Sequence, residues 1–349
     1  MSNSSNPASC KHFGAFPIFG ECSGNGFCNT SLPTPWVEGS MGRCICNEGW
    51  TGRGDLVNAE GLDCMTNIAV HKWWWGALLP LWITVFVYAT FNLLPLIKGK
   101  SVIDVWKAHN LRVLFLAGLA GILRTIECIT RFTKEEYVGE TFLTTFVSAW
   151  AGFLFWGQLG PIFLEQVLSI IIKSAKMSGA EGEMMTNKMK QMQTLMLWQI
   201  PQVMVAYLSL LATYFVDDPF VASWLVASYY LWSTLTSIFF VAFIALPSMS
   251  AFLKIIKTAN PNGTDVKLAA LQKKFFVFHR ECRNNGFSNT LTCIIFSIPL
   301  SRTMVTYQLA FGWTIGGLIT LVAIWFIVPN KRDKKKVSPS SAMKSTVVE

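Results

Sequence analysis

Arg124 and Glu127 stand three residues apart inside a stretch, 111–130, that is otherwise mostly apolar. On a helix that spacing puts both side chains on one face, where a guanidinium and a carboxylate can pair. A second apolar stretch, 141–172, carries Glu165, with Gln166 beside it and Gln158 two turns earlier. A third carries Gln199 and Gln202 on either side of Pro201. Charges are costly in apolar helices, so two uses compete for such groups. One is a water-lined pocket or conformational switch; the other is a structural ion pair, or a side chain snorkelling near a helix end. Glu165 sits towards one end of its stretch, which favours the second use there. The four histidines, His12, His71, His109 and His279, fall in loops or at boundaries. They form no set of nucleophile, base and orienting group, so no catalysis, metal or cofactor is expected.

The elements that must position these residues are membrane helices. Of 349 residues, 52% are hydrophobic and only 14% charged, where a soluble domain has roughly a quarter charged. That excludes a disordered chain, a collagen and a coiled coil. Apolar runs long enough to match about 30 Å of hydrocarbon number seven: 73–97, 111–130, 141–172, 194–216, 220–247, 287–304 and 307–328. The last two lie in one apolar stretch from Thr290 to Val328, which also suits a single long tilted helix. Basic residues collect in cytoplasmic loops. With seven spans and the amino terminus outside, 21 of the 29 Lys and Arg fall inside, seven fall outside (Arg131 among them), and Arg124 lies within a span. Six spans would put the run Lys331-Arg332-Asp333-Lys334-Lys335-Lys336 outside. Topology therefore accounts for the net charge of +9, and nucleic-acid binding is not expected. Residues 1–25 lack the basic-then-apolar pattern of a secretory leader, so the first span is expected to export its own acidic tail. Trp73, Trp74 and Trp75 suit the outer aromatic belt. Pro80, Pro95, Pro161, Pro201 and Pro299 fall in or near spans, and Gly312 and Gly316 allow close helix approach.

Six of the nine cysteines lie in the first 64 residues: Cys10, Cys22, Cys28, Cys44, Cys46 and Cys64. A dense, even set in a polar segment poor in aliphatic residues reads as a disulfide framework made in an oxidising compartment. The one-residue gap between Cys44 and Cys46 fits zinc poorly. The stretch Cys44-Ile45-Cys46-Asn47-Glu48-Gly49-Trp50-Thr51-Gly52, with Cys22-Ser23-Gly24-Asn25-Gly26-Phe27-Cys28 before it, resembles the EGF-like module. That resemblance covers residues 10–64. It implies bridges Cys10–Cys28, Cys22–Cys44 and Cys46–Cys64, with an insertion at 53–62. Gly49 and Gly52 flank a tight turn, where positive φ is expected. No carboxylate precedes Cys10, so calcium is not expected. Asn29-Thr30-Ser31 and Asn3-Ser4-Ser5 are glycosylation acceptors if this segment is outside, Asn29 being the better placed. Arg53-Gly54-Asp55 spells an integrin tripeptide, a sequence common by chance.

The expected architecture is thus an all-α seven-helix transmembrane bundle preceded by a small disulfide-rich module. It divides into a tail (1–9), an extracellular EGF-like domain (10–64), a membrane domain (73–329) and a basic cytoplasmic tail (330–349). The layout resembles G-protein-coupled receptors and EGF-bearing adhesion receptors. It lacks their Asp-Arg-Tyr and Asn-Pro-x-x-Tyr motifs, and the loop 216–220 has no cysteine. A membrane hydrolase superfamily with EGF-like modules uses histidines inside its spans, which are missing here. An opsin needs a lysine in the last span, and 307–328 has none. The expected function is that of a plasma-membrane receptor or adhesion protein, partnered by the lipid bilayer and by an extracellular ligand or protein. A cytoplasmic partner at 248–286 is also expected, where Leu268, Leu271, Phe275, Phe276 and Phe278 stand among Lys and Arg in a stretch, 265–283, that equally suits the inner leaflet. The alternative is a solute or ion transporter using Arg124, Glu127 and Glu165.

Overall fold

The computed structural model describes residues 10, 21–33, 41–52, 61, 63–64, 66–133, 180–216, 219–259 and 305–327, and single residues within 147–154 and 262–294. It is mostly helical, with two small sheets at the amino-terminal end. Among the described residues, helices over 68–97, 111–133 and 224–243 are long and apolar enough to cross a membrane.

Among the described residues, the buried cluster of the amino-terminal module consists of disulfide cysteines. Strands β1 (Gly26–Pro33) and β2 (Met41–Cys46) pair antiparallel, with Cys28 opposite Cys44 and Gly26 opposite Cys46. The bridges are Cys10–Cys28, Cys22–Cys44 and Cys46–Cys64, with Cα separations of 5.4–5.8 Å. Gly26 is required by close approach: Ile45 O and Cys64 Sγ occupy the space a Cβ would need. Gly49 takes φ +80°, as its turn demands, whereas Gly52 is not in the positive-φ region and is buried instead. Strands β3 (Trp50–Thr51) and β4 (Thr66–Asn67) form the second sheet.

Helix α1 (Ile68–Ile97) starts with no linker after β4, five residues earlier than the apolar pattern indicates. Asn67 ends the strand and caps the helix, its Oδ1 accepting from Val70 N at 3.0 Å. The Ile68 N–H meanwhile donates to Gly49 O at 3.0 Å, tying the first helical residue to the module. Along α1, Trp75, Leu78, Trp82, Val85, Ala89 and Leu93 recur every three or four residues and are buried. Ile83, Val87, Phe91 and Leu94 make an exposed apolar stripe on another face. A helix apolar on all sides suits burial in protein on one side and hydrocarbon on the other.

Gly99, at φ +78°, turns the chain into the short helix α2 (Val102–Lys107). A reciprocal Ser101–Asp104 capping box opens α2, and the Ser101 donors hold the exposed Asp104 carboxyl below the usual carboxylate range. Helix α3 (His109–Thr133) then returns antiparallel along α1. The two approach closely at Gly121, where a Cβ would lie 2.8 Å from Phe86 N. Helix α4 (Ala180–Ala212) begins fourteen residues before the expected span and ends in a 3-10 turn, Thr213–Phe215. It packs on α5 (Pro219–Ile238). Helix α5 continues through a π-helical segment, Phe239–Ala245, into α6 (Leu246–Ala259), so helix runs past the expected boundary at 247. The π segment precedes Pro247, whose ring would clash with the carbonyl four residues back in a regular helix. Helix α7 (Val305–Ile327) packs on α1. Its contact glycine is Gly317, where a Cβ would meet Leu81 Cδ2 at 2.7 Å; Gly312, expected to serve, has nothing within 4 Å. One core joins these helices.

Most of span 141–172, most of span 287–304, the tail 330–349, the insertion at 53–62 except Gly61, and Arg53-Gly54-Asp55 lie outside the described residues. Gly121→Leu is expected to push α3 off the Phe86 backbone and cost about 1–3 kcal/mol. The check is a lowered thermal midpoint of the purified chain in detergent, beside an unchanged midpoint for Gly312→Ala.

Candidate functional site

The expected pair forms and is larger than expected. Arg124 Nη1 donates to Glu127 Oε2 at 3.0 Å. Arg131, one helical turn further on, donates to Glu127 Oε1 from Nε at 3.1 Å and Nη2 at 2.9 Å. All three side chains are at most 5% exposed. Arg131, counted from sequence among the outer basic residues, is therefore part of a buried triad within α3.

Three indoles enclose the triad. The Arg124 guanidinium lies 3.5 Å from the ring centre of Trp313 and 6.0 Å from that of Trp82. Arg131 lies 4.7 Å from Trp75 and 5.6 Å from Trp313. Trp75 and Trp313 meet edge to face at 4.8 Å, and His71 approaches Trp75 at 6.0 Å. Trp75 is thus no belt residue. It is wholly buried, while Trp73 is 72% exposed and Trp74 is intermediate. The negative face of an indole suits a desolvated guanidinium, at roughly 0.5–2 kcal/mol per contact. A carboxylate between two guanidiniums meets the rule that buried charges be paired and hydrogen-bonded.

Three helices supply these groups at one end of the bundle. The pairs Trp75/Arg131, Phe86/Gly121 and Thr90/Gly118 define an antiparallel α1–α3 register. Trp75/Trp313 and Leu81/Gly317 define a parallel α1–α7 register. The triad therefore lies at the end of α1 that carries the disulfide module. Through its indole contacts the triad bridges α3 to α1 and α7. Cys128, beside Glu127, is a buried free thiol.

The remaining expected residues are dispersed. Glu165, Gln158, Gln166 and Asn3 lie outside the described residues. Gln199 reaches α5, its Nε2 donating to Thr236 O at 3.1 Å, while Gln199 Oε1 and Gln202 Oε1 are buried without hydrogen-bond partners. Asn29 lies in β1, where its Oδ1 accepts from Ser31 N at 3.0 Å and Ser31 Oγ at 2.6 Å. Within 248–286, Phe275 is buried in the bundle core and Phe276 is exposed. The sulfurs of Cys10, Cys22 and Cys44 lie within 4.8 Å of one another, but each is in a disulfide and offers no thiolate to a metal. Sequence reasoning missed Arg131, Trp75, Trp82 and Trp313. Arg131 had a signal, since it stands four residues after Glu127 on the same face.

No family model matches the chain, and no curated protein and no solved structure matches it.

Removing the central carboxylate takes from two buried guanidiniums the acceptor they share. Glu127→Gln is expected to destabilise by about 3–5 kcal/mol, the cost of breaking a buried pair. Arg131→Met is expected to cost less, because Glu127 keeps Arg124. Thermal unfolding of the two variants in detergent measures the order.

Proposed function

We propose that this chain is a seven-span plasma-membrane protein that works as a cell-surface receptor. Its EGF-like module faces outward and its carboxyl terminus is cytoplasmic. The observation that carries the reading is the junction at Asn67. There β4 becomes α1 without a hinge, and eight residues later α1 supplies Trp75 to the buried charge triad. A ligand that tilts or turns the module acts on a lever whose other arm is the lock between α1, α3 and α7. An adhesion protein needs only a tether, and a flexible one suffices.

Membrane residence is supported by the exposed apolar faces. Large apolar side chains are exposed along α1, along α3 (Phe115, Ile122, Ile126, Ile129) and along α5 (Val221, Trp224, Leu231, Leu235). Monomeric soluble proteins rarely present apolar surface on this scale. Threonines on α3, α5 and α7 return their hydroxyls to the carbonyl four residues back, as Thr125 to Gly121, Thr234 to Tyr230 and Thr320 to Gly316. That keeps hydroxyls satisfied without water. The parallel run of α1 and α7 favours an odd number of crossings and so supports seven over six. The three paired cysteine bridges support an oxidising, outward location for the module and with it the EGF-like reading. A cytoplasmic partner is proposed at 248–286, where Phe276 is exposed beside basic residues. The transport reading, which needs mobile charge at Arg124, Glu127 and Glu165, is disfavoured by the second arginine on Glu127.

Inserting Gly-Gly-Ser between Asn67 and Ile68 separates lever from lock. With an antibody to the module as the engaging probe and a proximity reporter fused to the carboxyl terminus, the intact chain is expected to respond on engagement. The insertion variant is expected to reach the surface, bind the antibody equally and stay silent. Silence of the intact chain sinks the receptor reading. Sidedness has its own check: a glycosidase-sensitive mass shift that Asn29→Gln abolishes.

A further inference from the structure

We propose that α2 and its flanking turns form a docking surface for anionic phospholipid headgroups, resting on the reading of α1 and α3 as membrane spans. Helix α2 is apolar on two sides. Val105 and Ala108 pack on the bundle core. Away from it, Val102 is 84% exposed, Ile103 64% and Trp106 45%. In chain order these three follow the exposed stripe of α1, Val87, Phe91 and Leu94, just past the turn at Gly99. A stripe in hydrocarbon that passes into a short helix with an exposed tryptophan describes an element lying at the membrane boundary.

Charge identifies the lipid class. Lys98, Lys100 and Lys107 are exposed around this apolar patch. Arg112 reaches back over Trp106, its guanidinium carbon 5.9 Å from the ring centre. The single acid of the segment, Asp104, is engaged by Ser101 at 2.7 Å in the capping box. Apolar side chains beside an almost purely cationic rim match hydrocarbon beside phosphate, and anionic lipid strengthens the match by roughly fivefold for each basic residue near the surface. The basic, aromatic segment at 265–283 competes less well for this role, because its Phe275 is already buried against the bundle.

The test uses the full chain in nanodiscs of equal phosphatidylserine and phosphatidylcholine, with the lipids that stay bound counted by native mass spectrometry. The intact chain is expected to retain phosphatidylserine in excess. The triple variant Lys98→Gln, Lys100→Gln, Lys107→Gln is expected to lose most of that excess, and the triple arginine variant to keep it. Equal retention of both lipids by the intact chain, or an undiminished excess in the glutamine variant, overturns the proposal while leaving the spans in place. A chain that does not enter nanodiscs fails earlier, and then the membrane reading itself is lost. Depth is read separately through Ile103→Cys, followed by a water-soluble maleimide with peptide-resolved detection. Protection in the bilayer supports lipid contact; full reactivity there marks a surface for a soluble protein and overturns the proposal.

Discussion

One carboxylate serving two guanidiniums sets the terms for the helices around it. Glu127 spends both oxygens on α3's own arginines. That satisfies hydrogen bonding along the helix but leaves the flat faces of the cations against an apolar interior. Only a surface with negative potential and no need of water can cover them, and indole faces are such a surface. Trp75 and Trp313 must therefore arrive from α1 and α7 at one height and in edge-to-face contact. The angular position of each helix about α3 follows from that requirement. Gly121 and Gly317 then permit the approach at the crossings below.

Helix α1 is the element on which most of the molecule bears. It continues the module's second sheet, supplies two of the three indoles, and receives both α3 and α7. Its remaining face is apolar and uncovered. Elsewhere the backbone departs from regular helix where it must. The π segment before Pro247 is one case, with the Leu246 N–H reaching back five residues to Val241 O. The polar seam between α4 and α5 is less complete, since two glutamine carbonyl oxygens stay unmatched there.

Much of this plan was legible in the sequence where the cause is local. The cysteine spacing carried the pairing through the EGF-like resemblance, the long apolar runs marked helices, and the i,i+3 step from Arg124 to Glu127 marked a pair. Errors arose where one window was read with one rule. Arg131 ends an apolar run and was counted only as a flanking charge; one more helical step from Glu127 puts it on the carboxylate. Trp73, Trp74 and Trp75 were read as a group, yet neighbours on a helix diverge by about 100° and cannot share one environment. The partnership of Trp75 with Trp313 spans most of the chain and has no local trace. The start of α1 was missed because Asn67, a cap and a strand end at once, carries no apolar signal. A pair of glycines four apart, Gly312 and Gly316, marks a helix face but cannot say which neighbour it meets; Gly312 meets nothing, while the adjacent Gly317 meets Leu81.

The continuity at Asn67 also bears on how long the module keeps its place. Proteases that cut folded chains engage exposed, extended segments that leave their hydrogen bonds easily. A stalk between a module and a membrane helix is such a segment. Here Asn67 is paired in a strand, its side chain is engaged by the helix, and the following N–H is held by Gly49. The junction itself offers no scissile stretch, so release of the module as a soluble fragment by cutting there would first require unfolding either the sheet or the first turn of α1.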